Sequence, residues 1–421
     1  MTKVSAAYQH RESPRSDSCR LFAFLCVFLL CVVLAVKFYS TPADSSTEYS
    51  LVNSMNERSS KFIKAVTWNI AAVNNNPFEY WITSDDPKYN DLMISVSKFI
   101  ENPLHHDITI KEVFTNDMFE ELAALMTKMG WSGIEETRNS WQTSFQDRKI
   151  ISEFIKDSLL GKKRLASMPD RVTNTINTVS GEAAMRPTVI NCFDGELNDI
   201  NQWWTQWKHF YFDKVISIKK KGQVVSSSVY QMISPIKKAK YPDITTEEEA
   251  ISIPLQTLCM AIFDSILIHM MNIVGHDSWQ PIRKEICLKL NLKKNDRTIE
   301  ILEETYADAD VIFLQEVAGN FPSVVKSHPL ASNYDILQTI TMDEDRDQNS
   351  FILTKKNKFE GFEEVTSKVL SLYEQSNSGK KLPVVNGDLV VMIVNQIGDN
   401  DRYLLASFHG DTNGYAITRF A

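Results

Sequence analysis

Val311-Ile312-Phe313-Leu314-Gln315-Glu316-Val317 is the stretch that decides the fold. It is a short apolar run rich in branched residues, it follows Asp310, and it ends on an amide and a carboxylate. That pattern predicts a buried strand whose carboxyl end carries polar groups. Two other runs end in the same way. Phe62 to Ile70 (FIKAVTWNI) closes on Trp68-Asn69, and Tyr403 to Phe408 runs into His409-Gly410-Asp411-Thr412-Asn413-Gly414. Ser350 to Leu353 and Asp388 to Asn395 read as further short strands between turn residues.

Between the first strand and the rest the texture is helical, from about residue 85 to 306. Thr115 and Asn116 can cap a helix on which Met118, Phe119, Leu122, Leu125 and Met126 recur at helical spacing, and Gly130 stops it. Ile150 to Leu160 reads as another helix before Gly161. Thr245 with Glu248, and Thr246 with Glu249, both spell capping boxes. Pro254 then opens LQTLCMAIFDSILIHMMNIV, where Gln256, Asp264, His269 and Asn272 mark a buried helix of a soluble domain and not a membrane span. A strand separated from its sheet partners by a helical block is one domain carrying an insertion, here about 85–295.

The 421 residues carry 45 basic and 53 acidic side chains, a formal net charge of −8, and 43% apolar residues. Such a chain can bury a substantial core. Gly and Pro number 14 each, which excludes a collagen-like or low-complexity chain. The acidic balance excludes a protein that mainly coats nucleic-acid backbone, although a local basic groove is compatible with it. Cys19, Cys26, Cys31, Cys192, Cys259 and Cys287 form no CxxC pair, so no zinc site or disulfide framework is legible, and core cysteines are expected.

Leu21 to Val36 are unbroken apolar residues, extended by Lys37, Phe38 and Tyr39 at an interface. Lys3, Arg11, Arg15 and Arg20 precede them, which favours a cytoplasmic tail at 1–20 and a transmembrane signal anchor at 21–39. A cleaved signal ending near Thr41 and Ala43 is the competing reading. None of the 27 Asn reads Asn-x-Ser/Thr, which argues against exposure to a glycosylating lumen. The Ser-rich residues 40–60 are a flexible linker. The expected location is a membrane, as a single-pass protein of an endomembrane or the cell surface.

An amide, a carboxylate and an imidazole at strand ends suit divalent-metal phosphoryl chemistry, because hard cations take oxygen ligands and substrate phosphate. Each alone is an ordinary cap or turn residue. The strings TWNI (67–70), VIFLQEV (311–317), QNSFILT (348–354) and LLASFHGDTNG (404–414), in this order, resemble the endonuclease/exonuclease/phosphatase superfamily, DNase I-like. GDLVVMIV, RPTVIN and WWTQWKHF add to the likeness.

The resemblance implies a partial four-layer αββα sandwich over 61–421 and a Mg²⁺ or Mn²⁺ cofactor. Glu316 would be the main metal ligand, Asn69 would orient the metal and its water, and His409 would act on the scissile phosphate or leaving group. The implied substrate is a phosphoester of a lipid, an inositol phosphate or a nucleic acid, and the acidic charge and anchor favour a phosphoester at a membrane.

The sequence also departs from that pattern. Asn69 and Glu316 lie 247 residues apart where a few tens are usual. The superfamily's later Asp-x-Asn strand end and Ser-Asp-His do not follow His409. Asp199-Ile200-Asn201 and Asp347-Gln348-Asn349 match the first spelling upstream, and Ser-Asp-His occurs nowhere. The expectation is therefore a truncated domain with impaired hydrolysis, an unpaired sheet edge and an uncovered apolar face. The alternative is a non-catalytic, membrane-tethered interaction protein on the same partial scaffold. Protein partners are not legible. Trp203, Trp204, Trp207, Phe210, Tyr211 and Phe212 can pack the helical block or meet a lipid or base. The i, i+4, i+7 spacing of Trp203, Trp207 and Phe210 favours packing.

Overall fold

The computed structural model describes residues 62–410, apart from 221, 343–345, 347, 380, 383 and 399–400. The anchor at 21–39, the linker, three of the cysteines and residues 411–414 of the last strand-end string lie outside the described residues. The chain is mixed helix and sheet. By contact the described residues divide into two compact units, a helical one over 75–291 and a β-rich one over 62–74 and 292–410.

Strand β1 (Ala65–Asn69) precedes the helical unit. In that unit, α1 (Pro87–Glu101) starts where the Asp86 side chain accepts the Lys88 N–H. Helix α2 (Asn116–Lys128) starts where Thr115 Oγ1 accepts the Met118 N–H, so a first-turn donor that the helix cannot satisfy itself is capped. Ile150 to Leu160 is not one helix. A π-helical turn spans Ile150–Ile155, and Asp157 then accepts the N–H groups of Leu159 and Leu160 and starts a new helix, Ser158–Lys163. Two short hairpins, β2 (Thr175–Asn177) with β3 (Ala183–Met185) and β4 (Val215–Lys220) with β5 (Gln223–Ser228), interrupt the block whose sequence texture is helical.

Helix α3 (Ile200–Lys208) carries the tryptophans. Trp203, Trp204, Trp207, Phe210, Tyr211 and Phe212 are all buried, which rules out their meeting a lipid or a base. The indole N–H groups of Trp203 and Trp207 donate to Pro187 O and Asp264 Oδ2 at 2.8 and 2.9 Å.

Helix α4 (Ser252–Gly275) opens two residues before Pro254. Proline is tolerated there because a first-turn N–H has no intrahelical partner. Of the Thr245/Thr246 alternatives, the capping box that forms before it is Thr245 with Glu248. Helix α4 is long and apolar enough to span a membrane, but most of it is buried in the helical unit.

Around Asp264 the unit buries an ion pair. Arg186 donates to Asp264 Oδ2 through Nε at 2.8 Å and to Asp170 Oδ1 through Nη2 at 2.6 Å. Burial works against the guanidinium charge, but the Asp264 and Asp170 carboxylates outweigh it and raise its pKa. Arg186 Nη2 also donates to Asp264 Oδ1 at 3.2 Å, and the Thr188 hydroxyl adds a fourth donor to that carboxylate. Helix α5 (Trp279–Cys287) ends on a residue that the sequence reading misassigned: Cys287 forms a disulfide with Cys192. A bridge across 95 residues has no local spelling. Cys259 is a free, buried core cysteine, as expected.

In the β-rich unit, helix α6 (Lys294–Thr305) leads to β6 (Val311–Val317). Helices α7 (Phe321–Val325) and α8 (Leu330–Asn333) follow, then β7 (Tyr334–Leu337), β8 (Asn349–Lys355) and β9 (Phe359–Glu364). Helix α9 (Thr366–Ser376), β10 (Leu389–Gln396) and β11 (Arg402–Phe408) complete it. One sheet has the order β1-β6-β8-β7 and the other β11-β10-β9. Strand β1 runs parallel to β6, and every other pairing in these two sheets is antiparallel.

Side-chain alternation assigns each face a partner. Ile312, Leu314, Phe351 and Leu353 pack with Ile299, Leu302, Phe321 and Leu330 from α6 to α8. Val311, Ile352, Val390, Met392 and Leu405 form a core between the two sheets. Leu389 and Val391 turn outward and pack with Val369 and Leu370 of α9. Among the described residues β11 has no second strand neighbour, and Leu404 on its outer side is half exposed.

Candidate functional site

A β-bulge builds the site. On β6 and β8, Leu314 pairs with Phe351, but the next pair is Val317 with Asn349, so β6 carries one extra residue there. Glu316 takes φ +56°, in the left-handed region that an L-residue normally avoids. Strict alternation would send Glu316 to the α6–α8 side with Ile312 and Leu314. The bulge instead gives that inward place to Val317, which packs with them. Gln315 points the opposite way, and its amide donates to Ser407 Oγ of β11 at 2.9 Å. Glu316 is released towards the ends of β1 and β11.

Asn69 and His409 meet it there. Asn69 Nδ2 donates to Glu316 Oε1 at 3.0 Å, and His409 Nε2 lies 3.0 Å from the same oxygen. The orientation of the Asn69 amide is fixed, because its Oδ1 accepts the Ala71 N–H at 2.8 Å. Asn69 thus presents a donor to the carboxylate and its oxygen to the backbone. The turn beyond β1 closes on the bulge: Ile70 and Ala72 donate their N–H groups to the carbonyls of Gln315 and Glu316. Ala71 and Ala72 also have positive φ, 60° and 40°. Three non-glycine residues in sparsely populated backbone states thus gather at one spot, which is where such strain is usually maintained for function.

His409 is anchored through its backbone, whose N–H donates to Asp388 O at 2.8 Å. That carbonyl also accepts the Ser350 hydroxyl at 2.8 Å, and the Asp388 carboxylate is paired with Arg346. The adjacent turn needs glycine. Gly387 has φ +95°, and a Cβ there would stand 2.3 Å from Asn349 Oδ1. The Glu316 and His409 side chains are each about three-quarters buried, and Asn69 is exposed. The centre is therefore held from within and open at one side.

Sequence reasoning missed one charged member of this neighbourhood, Lys294 at the start of α6. Burial lowers its ammonium pKa, and the nearby Glu316 carboxylate partly offsets that effect. The upstream Asp-x-Asn spellings serve other purposes. Asp199 caps α3, and Asn349 is buried at the start of β8, where its amide donates to the carbonyls of Val317 and Arg346. Asp347 lies outside the described residues. Among the described residues no group of three or more His, Cys, Asp or Glu side chains is arranged to hold a metal ion.

The family described as a domain of unknown function (DUF8234) matches residues 107–284, within the helical unit. No curated protein matches the chain.

Proposed function

We propose that the β-rich unit is the body of a membrane-anchored, divalent-metal-dependent phosphoester hydrolase of the endonuclease/exonuclease/phosphatase kind. One observation carries this reading: Asn69, Glu316 and His409, from the ends of three strands, converge on a single carboxylate oxygen. The packing supports it too. Helices α6 to α8, the four-stranded sheet, the three-stranded sheet and α9 are joined face by face through three successive cores, which suits a partial DNase I-like αββα sandwich.

The donor set fits Mg²⁺ or Mn²⁺. Such ions are commonly bound by one or two carboxylates, with water and substrate phosphate completing the shell, so a lone Glu316 is sufficient protein anchorage. When bound, the ion supplies Lewis-acid stabilisation of charge on the phosphoryl oxygens. Glu316 would hold it. Asn69 fixes the carboxylate orientation through its amide N–H. His409, anchored at Asp388, presents an imidazole for a proton at the leaving oxygen or a hydrogen bond to the phosphoryl group. The strained bulge keeps Glu316 in place before substrate arrives, so no reorganisation is needed during reaction.

The substrate is a phosphoester whose class, lipid, inositol phosphate or nucleic acid, is chosen by parts outside this trio. A disulfide in the helical unit suits an oxidising compartment, in keeping with a chain anchored through residues 21–39 whose bulk lies outside the cytosol. The test is hydrolysis of bis(p-nitrophenyl) phosphate by the full chain in detergent, with and without Mg²⁺. Glu316→Ala should lower a Mg²⁺-dependent rate by about 10²-fold or more.

A second reading, a non-catalytic tethered interaction protein, draws on the long helical unit over 75–291, which contributes nothing to the trio. It expects no Mg²⁺-dependent turnover in the unaltered chain.

A further inference from the structure

We infer that Gln315 and Ser407 are positioning residues, whose mutual hydrogen bond fixes the end of β11, and with it His409, against Glu316. The effect of this tie on turnover rests on the hydrolase reading above. The trio is drawn from both sheets: Asn69 and Glu316 belong to β1 and β6 of the four-stranded sheet, and His409 follows β11 of the three-stranded one. Between the sheets the contacts are mostly apolar, among them Val311, Phe313, Val390, Met392 and Leu405. Apolar contact is non-directional, so it holds two sheets together without fixing how one slides on the other.

Alternation continues the row of Val311 and Phe313 on β6 with Gln315, and the row of Leu405 on β11 with Ser407. There the contact turns polar and directional. Gln315 Nε2 donates to Ser407 Oγ at 2.9 Å, and the same hydroxyl donates onward to Leu314 O at 3.0 Å. Ser407 is 1% exposed, so its hydroxyl is satisfied by protein as both acceptor and donor. Thr67 Oγ1 donates to Gln315 Oε1 at 3.4 Å and brings β1 into the same tie.

The tie lies directly behind the trio. Thr67 comes two residues before Asn69, Gln315 one before Glu316, and Ser407 two before His409. A second link between the sheets also ends at His409: Ser350 Oγ of β8 donates to Asp388 O, which accepts the His409 N–H. Stability does not call for a Gln–Ser pair in an apolar layer, because replacing both partners by apolar groups is often nearly neutral. Geometry does call for it, since a displacement of about 1 Å in a reacting centre can cost about 10²-fold in rate.

The experiment uses the full chain in detergent and compares the unaltered protein with Ser407→Ala and with Gln315→Leu combined with Ser407→Ala. Mg²⁺-dependent hydrolysis of bis(p-nitrophenyl) phosphate, Mn²⁺ affinity, urea stability and hydrogen exchange of the peptide spanning β11 and His409 are measured on each. Ser407→Ala should lower kcat about tenfold or more, with KM and Mn²⁺ affinity unchanged. The double variant should regain stability while kcat stays low. Exchange at the end of β11 should quicken about fivefold or more in both, as one lost hydrogen bond shifts a local opening by about that factor. A kcat that recovers together with stability in the double variant would make the pair a structural bond only and overturn the inference. Unchanged kcat in Ser407→Ala would overturn it too, and Mn²⁺ affinity falling in step with kcat would place the effect at Glu316 instead of His409. If the unaltered chain hydrolyses nothing, the hydrolase reading falls by itself. The β11 exchange then decides alone: quickened in both variants, it leaves the tie that fixes His409 standing, and unchanged, it removes it.

Discussion

Replacing Glu316 by Gly and, separately, by Ala isolates the backbone strain at the bulge. Both variants lose the carboxylate and its contacts with Asn69 and His409, so those losses cancel in the comparison. What differs is the Cβ at φ +56°. Holding an L-residue in the left-handed region costs about 1–2 kcal/mol, a cost that glycine avoids. Against this, glycine gains freedom in the unfolded chain worth about 0.4–1 kcal/mol. The Gly variant should therefore be the more stable by about 0.5–1 kcal/mol, or about 1–4 °C in Tm for a domain of this size. In a regular strand the order is reversed, with Gly less stable than Ala by about 0.5–1 kcal/mol.

Seven of the eight tryptophans lie in the helical unit, so fluorescence would follow the wrong part of the molecule. Hydrogen exchange of the peptide spanning β6, followed through a urea series, reads the correct one. An Ala variant as stable as the Gly variant would mean that Glu316 is not held in a strained conformation, and the pre-set carboxylate would fall with it.

Three further outcomes concern the helical unit. Replacing Cys192 and Cys287 by Ser should lower its unfolding free energy by about 2–4 kcal/mol, since the bridge closes a long loop, and tryptophan fluorescence in urea measures it; a loss under about 1 kcal/mol would contradict the bridge. Arg186→Met strands the buried Asp264 carboxylate and should cost about 3–5 kcal/mol, while Arg186→Met with Asp264→Leu should recover most of that in the same denaturation.

Burial, with His106 nearby, lowers the pKa of His269 on α4 below its ordinary value of 6.5. The folded state therefore takes up this proton less readily than the unfolded chain. The stabilising contribution is complete above 6.5 and is lost as pH falls from there through the lowered folded value. His269→Phe should flatten that slope in urea denaturation at stepped pH, and an unchanged slope would assign it to other groups.

Much of the β-rich unit is legible in the sequence because its signals are local. Apolar runs ending in Trp68-Asn69, Gln315-Glu316 and Phe408-His409 announce strands with polar carboxyl ends, and the tryptophan spacing announces a buried helix face. The bulge is not legible, since one extra residue shows itself only in the pairing of Val317 with Asn349. The Cys192–Cys287 bridge is hidden for the same reason, since it joins a loop residue to the end of α5 across 95 residues of chain. The break at Asp157 is not legible because periodicity carries across a capping aspartate that restarts the helix. Lys294 escaped notice because a lysine opening a charged helix looks like a solvated residue until its surroundings are seen.

The central claim is that Glu316, steadied by Asn69 and His409, is the protein anchor for a divalent cation. Electron paramagnetic resonance of Mn²⁺ titrated into the full chain, beside Glu316→Ala, addresses it most directly. The expected result is saturable Mn²⁺ binding that Mg²⁺ displaces and that is lost in Glu316→Ala. Equal binding by both proteins, or none by either, would contradict it.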